Sequence, residues 1–152
     1  MATTSDSKDS WTVKRVFPPV NWQTVTRHYL PVTGAISHGC FASHVLTPAY
    51  LYRLFPYYDM AVGNVILFNA HLGIGFYVYY RAHMLRVAPR TRVMFSVFSS
   101  VMFNFGSVLL FATTKAVLPR NGLIKTIFGC LTSLALLSIG REYLTYIDSL
   151  IK

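Results

Sequence analysis

Long stretches without a charged residue recur along this chain and indicate its architecture. Three of them cover residues 32–51, 60–80 and 93–114, and they are 20, 21 and 22 residues long. A transmembrane α-helix needs about 20 mostly apolar residues, so each stretch predicts one membrane-spanning helix. A fourth uncharged stretch, residues 126–140, has only 15 residues. It either crosses the membrane as a tilted helix or lies along the membrane interface.

The composition agrees with a membrane protein. Apolar residues make up 53% of the 152 residues and charged residues only 12%, whereas soluble domains carry about 25% charged residues. A soluble chain of this length would have too little polar surface to cover three such helices. The prediction is therefore an all-α membrane protein with a polar N-terminal arm (1–30), a bundle of three transmembrane helices (31–115), and a C-terminal membrane or interfacial helix and tail (116–152).

The net charge of +9 raises nucleic acid as a partner. Nucleic-acid-binding proteins gather their basic residues in one patch, whereas here they occupy the connections between apolar stretches, which excludes that partner and leaves lipids. The connection between the second and third stretches contains Arg81, Arg86, Arg90 and Arg92. By the positive-inside rule it faces the cytoplasm or the mitochondrial matrix. The N-terminal arm is predicted on the same side because it is also basic, with Lys14, Arg15 and Arg27.

The chain lacks the sequence features of an enzyme that works alone. It has five acidic residues, and none lies within the three long stretches. It also has no nucleophile elbow, no phosphate-binding loop and no Cys-X-X-Cys pair. Cys40 and Cys130 are interpreted as small packing residues of apolar segments. We therefore expect any chemistry to be shared with partner subunits.

The second stretch combines polar and small residues in an order unusual for a lipid-facing helix. Near its middle come Asn69, His71, Gly73 and Gly75, and near its basic end come Tyr77, Tyr79 and Tyr80. Polar groups at mid-membrane depth tend to face a bundle interior or a cofactor. Glycines let another helix, or a flat ring, approach the backbone closely. The alternative interpretation is that these residues only pack helices together and anchor the helix at the interface.

The segment LFNAHLGIGFYVYYR resembles the second transmembrane helix of the small membrane-anchor subunit of succinate dehydrogenase, the small cytochrome b subunit of respiratory complex II. In that family a histidine ligates haem b, a glycine follows about one helical turn later, and an Asp-Tyr pair near the end of the helix lies at the ubiquinone site. The preceding VLTPAYL and Asp59 resemble the junction between the family's first and second helices. The resemblance covers residues 33–114.

This resemblance implies a subunit of the mitochondrial inner membrane that contacts ubiquinone and haem b. It also implies a flavoprotein subunit, an iron–sulfur subunit and a second membrane anchor as partners. Tyr80 and Tyr79 are then the expected ubiquinone-binding residues, assisted by the positive field of Arg81. His71 is the expected haem and metal ligand, and His38 is a second expected haem-binding residue.

Two registers of the family pattern remain open. Taking Gly73 as the family glycine puts Asn69 at the position of the haem histidine and Tyr80 at that of the aspartate. Taking His71 as the haem ligand makes Gly75 the family glycine instead. The large anchor of the same complex, which shares the three-helix plan, also remains open.

Two other functions fit the same features. One is a non-catalytic accessory subunit of another inner-membrane assembly, such as ATP synthase or a cytochrome complex. The other is a small transporter or channel component. The scarcity of acidic residues within the membrane and the lack of an internal repeat count against a transporter.

Overall fold

The computed structural model describes residues 18–151, and all the regular secondary structure in that range is helical. Four long helices form the bundle: α1 (Leu30–Leu46), α2 (Asp59–Tyr79), α3 (Pro89–Thr114) and α4 (Gly122–Ser149). Short helical segments flank them at Trp22–Thr24, Val25–Tyr29, Pro48–Leu54 and Ala82–Leu85. The predicted all-α fold is confirmed. The predictions for Lys14 and Arg15 lie outside the described residues.

Helical structure begins within the range assigned to the N-terminal arm. The Asn21 side chain accepts a hydrogen bond from the Thr24 backbone N–H at 2.7 Å and caps the first turn. A π-helix at Val25–Tyr29 then leads directly into α1. Asparagine at an N-cap satisfies an N–H group that has no partner within the helix. Within the described residues, helix therefore starts at Trp22, inside the range assigned to the N-terminal arm.

The first apolar stretch does not form one continuous helix. α1 ends at Leu46, and Thr47 leaves the helical conformation with φ −138° and ψ 71°. Pro48 then starts the next short helix. A proline lacks the N–H of a helix interior and disfavours helical backbone at the residue before it. The expected single helix over residues 32–51 is thus wrong at its C-terminal end.

Three helices among the described residues are long and apolar enough to cross a membrane: α2, α3 and α4. The C-terminal helix has 28 residues, which span about 42 Å at about 1.5 Å per residue. It therefore exceeds the roughly 30 Å hydrocarbon core of a bilayer. The fourth segment, predicted either to cross the membrane or to lie along its interface, has the length of a crossing helix. The chain is a multi-pass membrane protein.

α1 lies at the centre of the bundle and packs against the other three long helices. Its crossing with α2 is a contact between glycines, since a Cβ atom added to Gly73 would lie only 2.5 Å from Gly34 Cα. Its crossing with α4 brings Gly129 against Ala42 and Leu46. Small residues at such crossings let helix backbones approach closely in a membrane.

One end of the bundle gathers most of the arginines. Here α2 ends, α3 begins and α4 ends, and an ion pair joins Arg81 Nε to Asp148 Oδ2 at 3.0 Å. His83 Nδ1 lies 2.6 Å from the other oxygen of Asp148. We call this the arginine-rich end; it holds Arg27, Arg81, Arg86, Arg90 and Arg92. These contacts show that α4 runs the length of the bundle and is antiparallel to α3.

Candidate ligand-binding cleft

A cleft of about 580 Å³ lies between α2 and α3 and opens along the side of the bundle. Its walls are mostly apolar, with a few polar groups at separate positions along the helix axes. The lining residues are Phe68, His71, Leu72, Gly75, Phe76 and Tyr79 from α2, Tyr80 directly after it, and Val93, Ser96, Val97, Ser100 and Val101 from α3. Pockets for small ligands have this volume and this balance of apolar walls and few polar groups.

Helical periodicity explains why the candidate residues of α2 meet in this cleft. His71, Gly75 and Tyr79 follow one another at intervals of four, so they share one face of a helix with about 3.6 residues per turn. Gly75 makes room between the two larger side chains, since a Cβ atom there would find its nearest neighbour, Ser100 Cβ, at 3.8 Å. Gly73 instead faces α1 at the glycine crossing. The two glycines therefore differ in role, one opening the cleft and the other packing helices.

His71 presents one ring nitrogen to a ligand. Its Nδ1 lies 2.8 Å from the Leu67 backbone oxygen, and a carbonyl only accepts, so Nδ1 carries the hydrogen. In the neutral ring the Nε2 atom is then the acceptor or ligand atom. Ser100 Oγ, across the cleft, donates to the His71 backbone oxygen at 2.6 Å and ties α3 to α2.

Two tyrosines close the cleft at the arginine-rich end. The rings of Tyr79 and Tyr80 meet edge to face with centroids 5.1 Å apart. Arg92 Cζ lies 3.8 Å from the Tyr79 ring centroid, and Arg27 Cζ lies 4.8 Å from that of Tyr80. This end of the cleft therefore offers phenol hydroxyls beside two stacked cations.

Arg81, expected to assist the tyrosines, does not line the cleft. Its guanidinium pairs with Asp148 and donates to Thr145 Oγ1 at 2.9 Å and to the Tyr77 hydroxyl at 3.2 Å. The physical reason is local, because α2 ends before Arg81, whose φ of −70° and ψ of 149° are extended. The cations beside the tyrosines are Arg92 and Arg27 instead.

His38 and His71 do not come together around one metal ion. His38 is buried against α4, with Nδ1 2.6 Å from Ser133 Oγ, and it packs beside the rings of Phe103 and Phe111. Residues 18–151 contain no group of three or more His, Cys, Asp or Glu side chains that could hold a metal ion. Among the described histidines, only His71 lines the cleft. His38 and His71 therefore belong to two different places in the bundle, the α1–α4 contact and the α2–α3 cleft.

Asn69 serves the contact between helices. Its Nδ2 donates to Ser37 Oγ at 2.8 Å across the α1–α2 interface. The packing interpretation is correct for this residue, and the register that places Asn69 as a haem ligand has no support in the geometry.

The α3 wall of the cleft was not predicted from the sequence. Ser96 and Ser100 are four residues apart, and both are buried. The sequence does contain a pattern that indicates this wall, because small polar residues four positions apart share one helix face and favour contact with other helices. Arg27 had no local signal, since its position depends on the π-helix that precedes α1.

No protein-family model matches the chain, and no curated protein or solved structure matches it.

Proposed function

We propose that this chain is a membrane-anchor subunit of mitochondrial succinate dehydrogenase and that the α2–α3 cleft binds ubiquinone. The observation that carries the proposal is the convergence of His71, Tyr79 and Tyr80 on one apolar cleft. A quinone has an apolar ring with two carbonyl oxygens and an apolar tail. It therefore suits a mostly apolar cleft with few polar groups that opens to the side of the bundle.

The tyrosines, Gly75, His71 and Arg92 each have a role in this proposal. A tyrosine hydroxyl donates a hydrogen bond to a quinone oxygen, and Gly75 leaves space for the flat ring. His71 Nε2 accepts a hydrogen bond from the hydroxyl of the reduced, quinol form. Arg92, stacked on Tyr79, favours the negative charge that a quinone oxygen gains during reduction.

The remaining chemistry belongs to partner subunits. Electrons reach the quinone from an iron–sulfur subunit, which itself receives them from a flavoprotein subunit. The arginine-rich end would face the matrix of the mitochondrial inner membrane, in accord with the positive-inside rule. A second membrane anchor would complete the quinone pocket on its open side. Among the described histidines His71 is the one that lines this cleft, and it would be the ligand that this chain offers there to haem b.

Removal of the tyrosine hydroxyls tests this proposal. Tyr79→Phe and Tyr80→Phe should each lower succinate-dependent ubiquinone reduction by about fivefold, the effect of losing one hydrogen bond of about 1 kcal/mol. Tyr146→Phe is the matched control, because this exposed tyrosine of α4 lies away from the cleft. Unchanged turnover of both cleft variants in a normally assembled complex would refute the role of the hydroxyls.

A second candidate is a non-catalytic accessory subunit of another inner-membrane complex, such as ATP synthase or a cytochrome complex. The length of α4 favours it, because the resemblance to the succinate dehydrogenase anchors ends at residue 114, whereas α4 is one of the three described helices long enough to cross a membrane and the 17-residue α1 is not. Only Gly129 and Ser133 of α4 are buried within the described chain. Mass spectrometry of the complex purified in mild detergent separates the two candidates by the subunits that accompany the chain.

A further inference from the structure

The arginine-rich end carries more positive charge than its carboxylates balance. The ion pairs formed within residues 18–151 join Arg81 and His83 to Asp148. In that part of the chain no carboxylate pairs with Arg27 or Arg92. These two guanidinium groups are therefore open to an anion from outside the described chain.

Both groups are held in place by aromatic rings. Arg92 lies over Tyr79, and its Nε donates to the Tyr79 backbone oxygen at 2.7 Å. Arg27 lies over Tyr80, and Arg92 also reaches that ring, with 5.7 Å from its Cζ to the ring centroid. Stacking occupies the flat face of a guanidinium group and leaves N–H donors at its edge for an anion.

The surroundings of the pair combine positive charge with apolar surface. Trp22 is 78% exposed and Leu85 is 57% exposed at the same end. Tryptophan is enriched at the depth of the lipid headgroups. The apolar cleft begins beside the two tyrosines and opens sideways. A ligand that reaches Arg27 and Arg92 therefore meets cations at its head and apolar surface along its body.

We propose that Arg27 and Arg92 bind the phosphate of an anionic phospholipid headgroup at the mouth of the α2–α3 cleft. Phosphate suits the pair because guanidinium groups present several N–H donors to its oxygens. The position at the bundle end favours a lipid over a soluble anion. The inference goes beyond ubiquinone binding. It shares Arg92 with the proposed ubiquinone site, but its test contains no quinone and is therefore independent of that proposal.

The test measures lipid retained by the full chain. The protein is released from phosphatidylcholine bilayers with and without phosphatidylglycerol, and bound lipid is counted by native mass spectrometry. Arg27→Gln with Arg92→Gln should lower bound phosphatidylglycerol by about 25-fold, or about fivefold for each arginine. Arg53→Gln with Arg120→Gln removes the same charge at the opposite end and should retain lipid like the wild type.

Four results would overturn the proposal. The first is that the Arg27/Arg92 variant retains as much phosphatidylglycerol as the wild type. An equal loss from Arg86→Gln with Arg90→Gln would reveal a general basic surface, since neither residue stacks on a ring of the described chain. Equal binding of phosphatidylcholine would show no need for an anionic headgroup. Equally strong binding of inorganic phosphate alone would identify a free-anion site.

A folding defect would not obscure the test. Size-exclusion chromatography reports the folded monomer of each variant before lipid is counted. Should the double variant fail to fold, Arg27→Gln alone carries the test, because Arg27 is exposed and its loss leaves Arg92 stacked on Tyr79. That single variant should retain about fivefold less phosphatidylglycerol than the wild type, and equal retention would contradict the proposal.

Discussion

Gly73→Ala tests the glycine crossing that joins α1 to α2. The added Cβ atom would lie 2.5 Å from Gly34 Cα and 2.8 Å from the Leu30 backbone oxygen. Carbon atoms in contact are ordinarily about 3.5–4.0 Å apart. Both neighbours are backbone atoms, so no side-chain rotation relieves the clash. The two helices must therefore move apart by about 1 Å.

The expected loss of stability follows from this forced separation. Overfilling a packed interface costs about 1–3 kcal/mol, which lowers the ratio of folded to unfolded protein by about 5- to 150-fold. The assay is thermal denaturation in mild detergent, followed by the fraction of monomer that survives on size exclusion. Gly73→Ala should lower the midpoint temperature.

Two other glycines supply matched controls. Gly106 has no atom within 4 Å of an added Cβ, and at Gly75 the nearest atom lies at 3.8 Å. Alanine is favoured over glycine in a helix interior by about 1 kcal/mol. Gly106→Ala and Gly75→Ala should therefore keep or raise the midpoint. A midpoint for Gly73→Ala at or above those of the controls would refute the close crossing.

Three further predictions follow from single contacts. Gly75→Leu should fill the cleft and lower ubiquinone reduction at least tenfold while keeping assembly, since a loss of only about 1.4 kcal/mol of binding has that effect; wild-type turnover would contradict it. Ser133→Ala should lower stability by about 1 kcal/mol, because His38 then loses the hydroxyl beside its Nδ1 in a buried site; thermal denaturation measures the change, and an unchanged midpoint would count against it. Asp148→Asn should free the end of α4 from Arg81, and the free energy of unfolding should fall by at most about 1 kcal/mol because the ion pair is partly exposed. Hydrogen exchange would detect the change as faster amide exchange near residue 148.

The helices could be predicted where charge and length alone decide them. The uncharged stretches at 60–80 and 93–114 coincide with the apolar parts of α2 and α3. The C-terminal helix was underestimated because Arg141 and Glu142 interrupt the uncharged pattern although the backbone continues as helix. The break at Thr47 was missed because a proline near the end of an apolar stretch can also start a new helix.

Helical periodicity predicts only the part of the site that lies within α2. His71, Gly75 and Tyr79 lie four residues apart within α2, so their shared face follows from spacing. Tyr80 lies directly after the last residue of α2, and its place in the cleft does not follow from that spacing. Arg81 lies just beyond the helix end, where an extended residue breaks that spacing and turns the side chain toward Asp148. Arg27 reaches Tyr80 only through the packing of a segment distant in sequence, which no local pattern specifies.

The most direct test of ubiquinone binding is photolabelling of the complex, purified in mild detergent, with a photoreactive ubiquinone analogue. Cross-linked peptides would be identified by mass spectrometry, with Gly75→Leu as the variant in which the cleft is filled. Ubiquinone binding in the cleft predicts label on the α2 and α3 walls, around Tyr79 and Tyr80, that disappears with excess ubiquinone and in Gly75→Leu. Label confined to other subunits, or label on this chain that Gly75→Leu leaves unchanged, would contradict it.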